Sequence, residues 1–163
     1  MRKISFIAVA LLMAISTWAQ KADVNYFDVV KVLTQGASSD VIIDKGYSFS
    51  REAKGASNDV YYTKGDVEMG ENLLWKSSSG SGSLVIVSYE KDAPVRISVL
   101  YSDVTSLQTV ADEVNYSKAQ TKGMTEDADF KKFNFETDEL LISIAVPKTA
   151  GTMSELFVEK KLH

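Results

Sequence analysis

Carboxylates are the strongest acid–base groups in this sequence, because thiols and internal imidazoles are missing. There is no cysteine, and the one histidine, His163, is the last residue. Thiol nucleophiles, disulfides, iron–sulfur clusters, haem thioethers and Cys-type zinc sites are therefore excluded. So are a Ser-His-Asp triad, a Cys-His dyad and a multi-histidine metal site. Two acidic clusters remain. Glu126, Asp127 and Asp129 precede Phe130, and Asp66, Glu68 and Glu71 precede Leu73. Either offers the oxygen ligands that calcium takes, but neither has the Asp-x-Asp-x-Asp-Gly spacing of a dedicated loop. Solvated acidic loops are expected, with no metal and no cofactor. A glycosidase would need two carboxyls roughly 5–9.5 Å apart, one of them in an apolar setting. Sequence alone does not set that separation.

Two further motifs have the wrong context. Gly80-Ser81-Gly82-Ser83 lacks the third glycine and the Lys-Ser/Thr of a phosphate loop, and it precedes a strand pattern rather than a helix. Ser88-Tyr89-Glu90-Lys91 has Ser-x-x-Lys spacing, which acyl-transfer enzymes carry on a helix. Here it ends a strand, where positions i and i+3 point to opposite faces. No residue is assigned a catalytic role. For binding, Trp75 follows a tyrosine-rich stretch, with Tyr61, Tyr62, Tyr89 and Tyr101 on neighbouring strand patterns. Such side chains either pack under helices or stand on an open sheet face, where they stack on sugars or anchor a protein partner. Trp75, Tyr61 and Tyr89 are the candidate binding residues.

The elements that would carry them follow a targeting segment. Arg2 and Lys3 form a basic n-region, Ile4 to Ile15 is apolar apart from Ser5, and Thr17 and Ala19 are small. This is the layout of a secretory signal peptide over residues 1–19, cleaved after Ala19. The run is shorter than the about 20 residues of a membrane span, so no stable insertion is expected after cleavage. The exported chain would start at Gln20. Of 18 basic residues two lie in the leader, and the other 16 face 22 acidic ones, a formal charge of −6. That charge disfavours nucleic acid and anionic lipid as partners. Export without cysteine points to a bacterial periplasm or the medium. Apolar residues at 45% and charged ones at 25% describe a globular chain, a single domain over residues 20–163.

Within it, Asp23 is the expected N-cap of a helix over about 24–35, ended by Gly36. Val41 to Asp44 reads as a short helix or a strand, closed by Gly46. From Tyr47 the period turns toward two: Tyr47, Phe49 and Arg51 alternate with Ser48, Ser50 and Glu52. Strands follow at Asp59–Thr63, Leu73–Lys76, Leu84–Tyr89 and Val95–Tyr101, with Ser77 to Ser83 as a flexible connection. Val95, Ile97, Val99 and Tyr101 face one way, Arg96 and Ser98 the other. Asp103 caps a second long helix with a Val104, Leu107, Val110, Ala111, Val114 stripe, and Gly123 lies past its end. Met124 to Asp129 reads as an acidic loop, Phe133 to Val146 as a hairpin, and Glu155 to Lys160 as the last strand.

The expected fold is α+β: an antiparallel sheet of about six to eight strands with two or three helices on one face. The order is helix, short helix, five strands, helix, three strands. It also admits two α-β repeats, over about 23–101 and 102–160, with Lys45-Gly46 and Lys122-Gly123 closing the helical parts. This order of elements resembles small exported bacterial α+β proteins, namely the beta-lactamase-inhibitor proteins and the outer-membrane-assembly lipoproteins. The resemblance implies a sheet or loops that grip a protein partner. It carries no residue motif, and the inhibitors' disulfides and the lipoproteins' cysteine are absent. The expected function is therefore an exported, non-enzymatic, inhibitor-like binding module for a protein partner. Two other readings stay open: a carboxylate-based hydrolase or carbohydrate-binding protein of the cell envelope, and a purely structural envelope component.

Overall fold

A computed structural model describes residues 22–161 apart from 38, 56 and 70–73. The expected leader over residues 1–19 and its cleavage site, together with Glu71, Leu73 and His163, lie outside the described residues. Helix α1 (Tyr26–Gln35) is capped by Asn25, not by Asp23. The Asp28 N–H donates to the Asn25 side chain (3.0 Å), and the Asn25 N–H donates to the Asp28 carboxylate (3.2 Å). This reciprocal box satisfies two N-terminal donors. Asp23 instead accepts from Lys64 Nζ (2.9 Å), Ser83 Oγ (3.2 Å) and Ser106 Oγ (3.1 Å). It ties the chain entering α1 to two strands and a helix. Helix α2 (Asp40–Asp44) follows, with Gly46 at φ 88° behind it. Helix α3 (Val104–Tyr116) has Asp103 as N-cap, accepting the Ser106 N–H at 2.7 Å. Val110 and Val114 are buried, but Val104, at the first helical position, is 80% exposed at the rim of a groove shared with Phe133 and Val146.

The strands are β1 (Ser48–Lys54), β2 (Asn58–Lys64), β3 (Glu68–Met69), β4 (Trp75–Lys76), β5 (Ser83–Glu90) and β6 (Ala93–Tyr101). After α3 come β7 (Gln120–Glu126), β8 (Phe130–Glu136), β9 (Leu140–Pro147) and β10 (Ser154–Lys160). Eight form one antiparallel sheet in the order β1-β2-β5-β6-β10-β9-β8-β7, and β3-β4 is a separate hairpin. Six strands precede α3 and four follow it, where five and three are expected. The extra strand after α3 is β7, which takes in Gly123 and Met124. All its described residues are exposed, so no alternation of apolar residues marks it. Ala93 and Pro94 belong to β6 rather than to the turn. That turn is Lys91-Asp92, both at positive φ (50° and 65°), as a two-residue primed hairpin requires.

Each long helix is followed by a four-strand meander of the large sheet, and the two meanders meet where β6 lies beside β10. There Val99 stands opposite Leu156 and Ile97 opposite Val158. These four, with Val85, Val87, Ile142 and Ile144, pack under Val29, Val32 and Leu33 of α1 and Val110 and Val114 of α3 in one continuous core. The helices are clasped to one another by charge. Glu113 of α3 accepts the Tyr26 N–H at the start of α1 (2.9 Å), and Lys45 pairs with Asp28 (3.0 Å). No helix among the described residues is long and apolar enough to cross a membrane.

The acidic loops are committed within the protein. Lys148 holds Glu126 (2.6 Å), Lys132 holds Asp127 (2.8 Å) and Lys122 holds Glu136 (2.8 Å). These bonds depress all three carboxyls, Asp127 to about 2, through Lys132 first and the Phe130 and Asp129 N–H groups next. Asp66 is depressed by its serine partners, Ser78 first. A depressed carboxyl contributes stability above its unfolded pKa and loses it as the pH falls through the folded one. Glu113 is shifted the opposite way, chiefly by burial, so its protonation favours the folded state and offsets part of that loss. With four carboxyls depressed against one raised, the melting temperature should fall between roughly pH 4.5 and 2. Thermal scans check this, and a rise on acidification to about pH 3 would contradict it.

Candidate functional site

The helices cover one face of the sheet. On the other, six adjacent strands from β2 to β8 line a single depression of about 490 Å³. Five strand spacings span about 24 Å. For Asp59 on β2 and Lys132 on β8 to border one hollow, the sheet must curve toward this side. Register gives the floor: Tyr61, Ile86, Ser98, Phe157 and Ser143 follow one another across five strands. Beside that row run Asp59, Ser88 and Arg96. Apolar side chains and serine hydroxyls are interspersed along it, so the surface offers both contact area and hydrogen bonds.

Two guanidinium groups lie on this face. Arg96 donates from Nε and Nη2 to the buried Ser88 Oγ, 3.2 Å each. Arg51 lies over the Tyr61 ring, 4.5 Å from its centroid, and 5.8 Å from that of Trp75. The Tyr61 and Trp75 rings are 6.3 Å apart. Alternation alone would put Arg51 with Tyr47 and Phe49. A bulge between Phe49 and Arg51 reverses it: Phe49 stands opposite Tyr62 on the helix face, and Arg51 opposite Tyr61 on the open face.

Trp75 is half-buried on the open face, away from the helices, where it covers a small second core. One side meets Arg51 and Tyr61, and the other covers Leu84, Leu100 and Met153. The Met153 N–H donates to the Trp75 carbonyl (3.1 Å), which fixes β4 to the chain entering β10. The structure thus brings Trp75 and Tyr61 together and puts Tyr89 elsewhere. Tyr89 packs against the helix-side core, and burial raises its pKa. Tyr62 and Tyr101 are also beneath the helices, with the Tyr101 hydroxyl donating to the Val24 carbonyl (2.6 Å). Arg51, Arg96 and Phe157 are site residues that the sequence does not single out. Only Arg96 carries a legible signal, its place opposite Ile97 in the β6 alternation.

The serine-glycine stretch is a pinned loop rather than a flexible connection. Asp66 accepts from the Ser77 hydroxyl (3.0 Å), the Ser78 hydroxyl (2.5 Å), the Ser79 N–H (2.6 Å) and the Ser79 hydroxyl. Gly82 passes so close that a Cβ would lie 2.2 Å from the Asp66 carbonyl oxygen. This loop leads out of the hairpin that carries Trp75. Trp75→Ala should cost about 2 kcal/mol, between a surface change and the 3–5 of a fully buried tryptophan. Urea denaturation measures it. A loss below about 0.5 kcal/mol would mean that the ring does not cover Leu84 and Met153.

Set against known proteins, the chain matches no family model, no curated protein and no solved structure.

Proposed function

We propose that this protein is an exported, non-enzymatic binding module that grips a protein partner on the open face of its sheet, in the periplasm or outside the cell. One observation carries the reading: the helix layer leaves uncovered a curved floor on which Tyr61, Ile86, Phe157 and two arginines are gathered. Aromatic residues and arginine are the side chains that dominate protein interfaces. The carboxylates bordering the hollow favour binding over hydrolysis. Asp59 and Glu155 stand on β2 and β10, three strand spacings or about 14 Å apart, beyond the about 5–9.5 Å of a glycosidase pair. Export rests on the sequence of residues 1–19.

The two helix-led halves are further proposed to be α-β repeats. In support, β1 and β2 begin at residues 48 and 58, and β7 and β8 at 120 and 130. Both edge strands carry a bulge at the same place, between Phe49 and Arg51 and between Thr121 and Gly123. The longer β2–β5 connection, which holds the Trp75 hairpin, is then an addition to the first half.

The binding reading is tested by filling the hollow. Ser98→Trp puts a ring into its centre, while Lys31→Trp alters the exposed outer face of α1. Partner protein recovered from envelope extracts should fall sharply with the first variant and not with the second. Equal recovery with both would refute the open face as the binding surface.

A further inference from the structure

The sequence has three arginines, and the two among the described residues, Arg51 and Arg96, both lie on the open face. Six lysines pair with carboxylates: Lys45, Lys64, Lys122, Lys132, Lys148 and Lys161. Neither arginine makes an ion pair among the described residues. Glu159 stands directly opposite Arg96 on β10, but the guanidinium turns the other way, onto Ser88 of β5, and Asp59, two strands from Arg96 in the same row, takes the Ser57 hydroxyl (2.9 Å). Each guanidinium is nevertheless held in place. Arg51 is laid over two aromatic rings, and Arg96 spends Nε and one terminal nitrogen on Ser88. A planar guanidinium fixed in this way keeps unused N–H groups in the fork that fits a carboxylate. Between the two lie Tyr61 and Ile86, which are apolar and paired across β2 and β5.

We infer that the open face takes an acidic segment of a partner protein, in which carboxylate side chains flank an apolar residue. The apolar residue sits over Tyr61 and Ile86, and Arg51 and Arg96 each fork one carboxylate. This rests on the binding reading above. Tyr61 and Ser88 are diagonal neighbours about 7–8 Å apart, and the arginine heads lie outward of them. In an extended segment the two acids are therefore about two to four positions apart, roughly 7–14 Å. Glu155 and Glu159 stand on the same face of β10. They repel acid there and confine the segment to the half of the hollow formed by β2, β5 and β6.

The test presents a displayed library of random linear peptides to the immobilised protein, followed by titration of a synthetic peptide of the enriched sequence. Peptides with Asp or Glu on both sides of an apolar residue should be enriched. Their binding should weaken at least about tenfold in Arg51→Lys and in Arg96→Lys, which keep the charge but lose the fork. Lysine keeps the charge and most of the aliphatic stem at both positions, so the variants should stay folded, with melting temperatures within a few degrees of the parent despite the lost Ser88 bonds and ring contacts. Enrichment of basic or uncharged peptides, no enrichment, or lysine variants that bind like the parent would each overturn the inference. If Ser98→Trp still blocks partner recovery in that event, the binding face stands and only its acidic preference falls. If Ser98→Trp changes nothing, the binding face itself falls.

Discussion

Ile97→Asp should cost the protein about 5 kcal/mol or more, while Ser98→Asp next to it should leave stability within about 1 kcal/mol of the parent. The two residues are neighbours on β6 with opposite surroundings. Ile97 is 1% exposed and points beneath the helices, between Val87 on β5 and Val158 on β10. Aspartate there forfeits the burial of an isoleucine, about 2 kcal/mol, and leaves an unpaired carboxylate in an apolar layer, several kcal/mol more. Against a total stability of about 5–15 kcal/mol, that loss takes a third or more of it and unfolds the protein outright at the low end of the range. Ser98 faces the open hollow, two positions from Arg96 on the same side. A carboxylate there keeps its hydration and gains a cation nearby. Urea denaturation of both variants measures the difference. Equal destabilisation would mean that both faces of the sheet are buried, and the open face would not exist.

Leu156→Ala should cost about 3 kcal/mol and leave unfolding as one cooperative transition. Leu156 is fully buried on β10, between Val99 of the first meander and Ile144 of the second. Truncation opens a cavity at the seam, where α1 and α3 also pack on β6 and β10. Helical content, followed by far-ultraviolet circular dichroism, should be lost together with Trp75 fluorescence. Two separated transitions would show that the halves have separate cores, and a loss below about 1 kcal/mol would show that the seam is loosely packed.

What the sequence reveals depends on whether the deciding contacts are local. The β6 alternation is legible because one face is buried and the other wet, so Ile97 and Arg96 separate by residue type alone. The caps at Asp103 and Gly36 are legible for the same reason. Asn25 is missed because Asp23 is an equally good cap two residues earlier, and only its partners Lys64, Ser83 and Ser106 settle which one is used. The edge strand β7 is missed because an exposed strand has no apolar face to alternate. The fate of Arg51 turns on one extra residue in β1, which moves it from the helix side to the open side and creates its stack on Tyr61 and Trp75. Tyr89 is misassigned because its aromatic character is visible but its face is not. The serine-glycine loop takes its order from Asp66, more than ten residues away in the chain, a pairing that composition does not encode.

The most direct test of the open face as the binding surface is site-specific photocrosslinking in the cell that makes the protein. A photoreactive side chain at Ser98 looks into the hollow, and one at Lys31 looks away from it on α1. The account predicts a discrete protein adduct from position 98 that disappears when Arg96 is changed to glutamate, and no such adduct from position 31. Adducts of equal yield from both positions, or from position 31 alone, would contradict it.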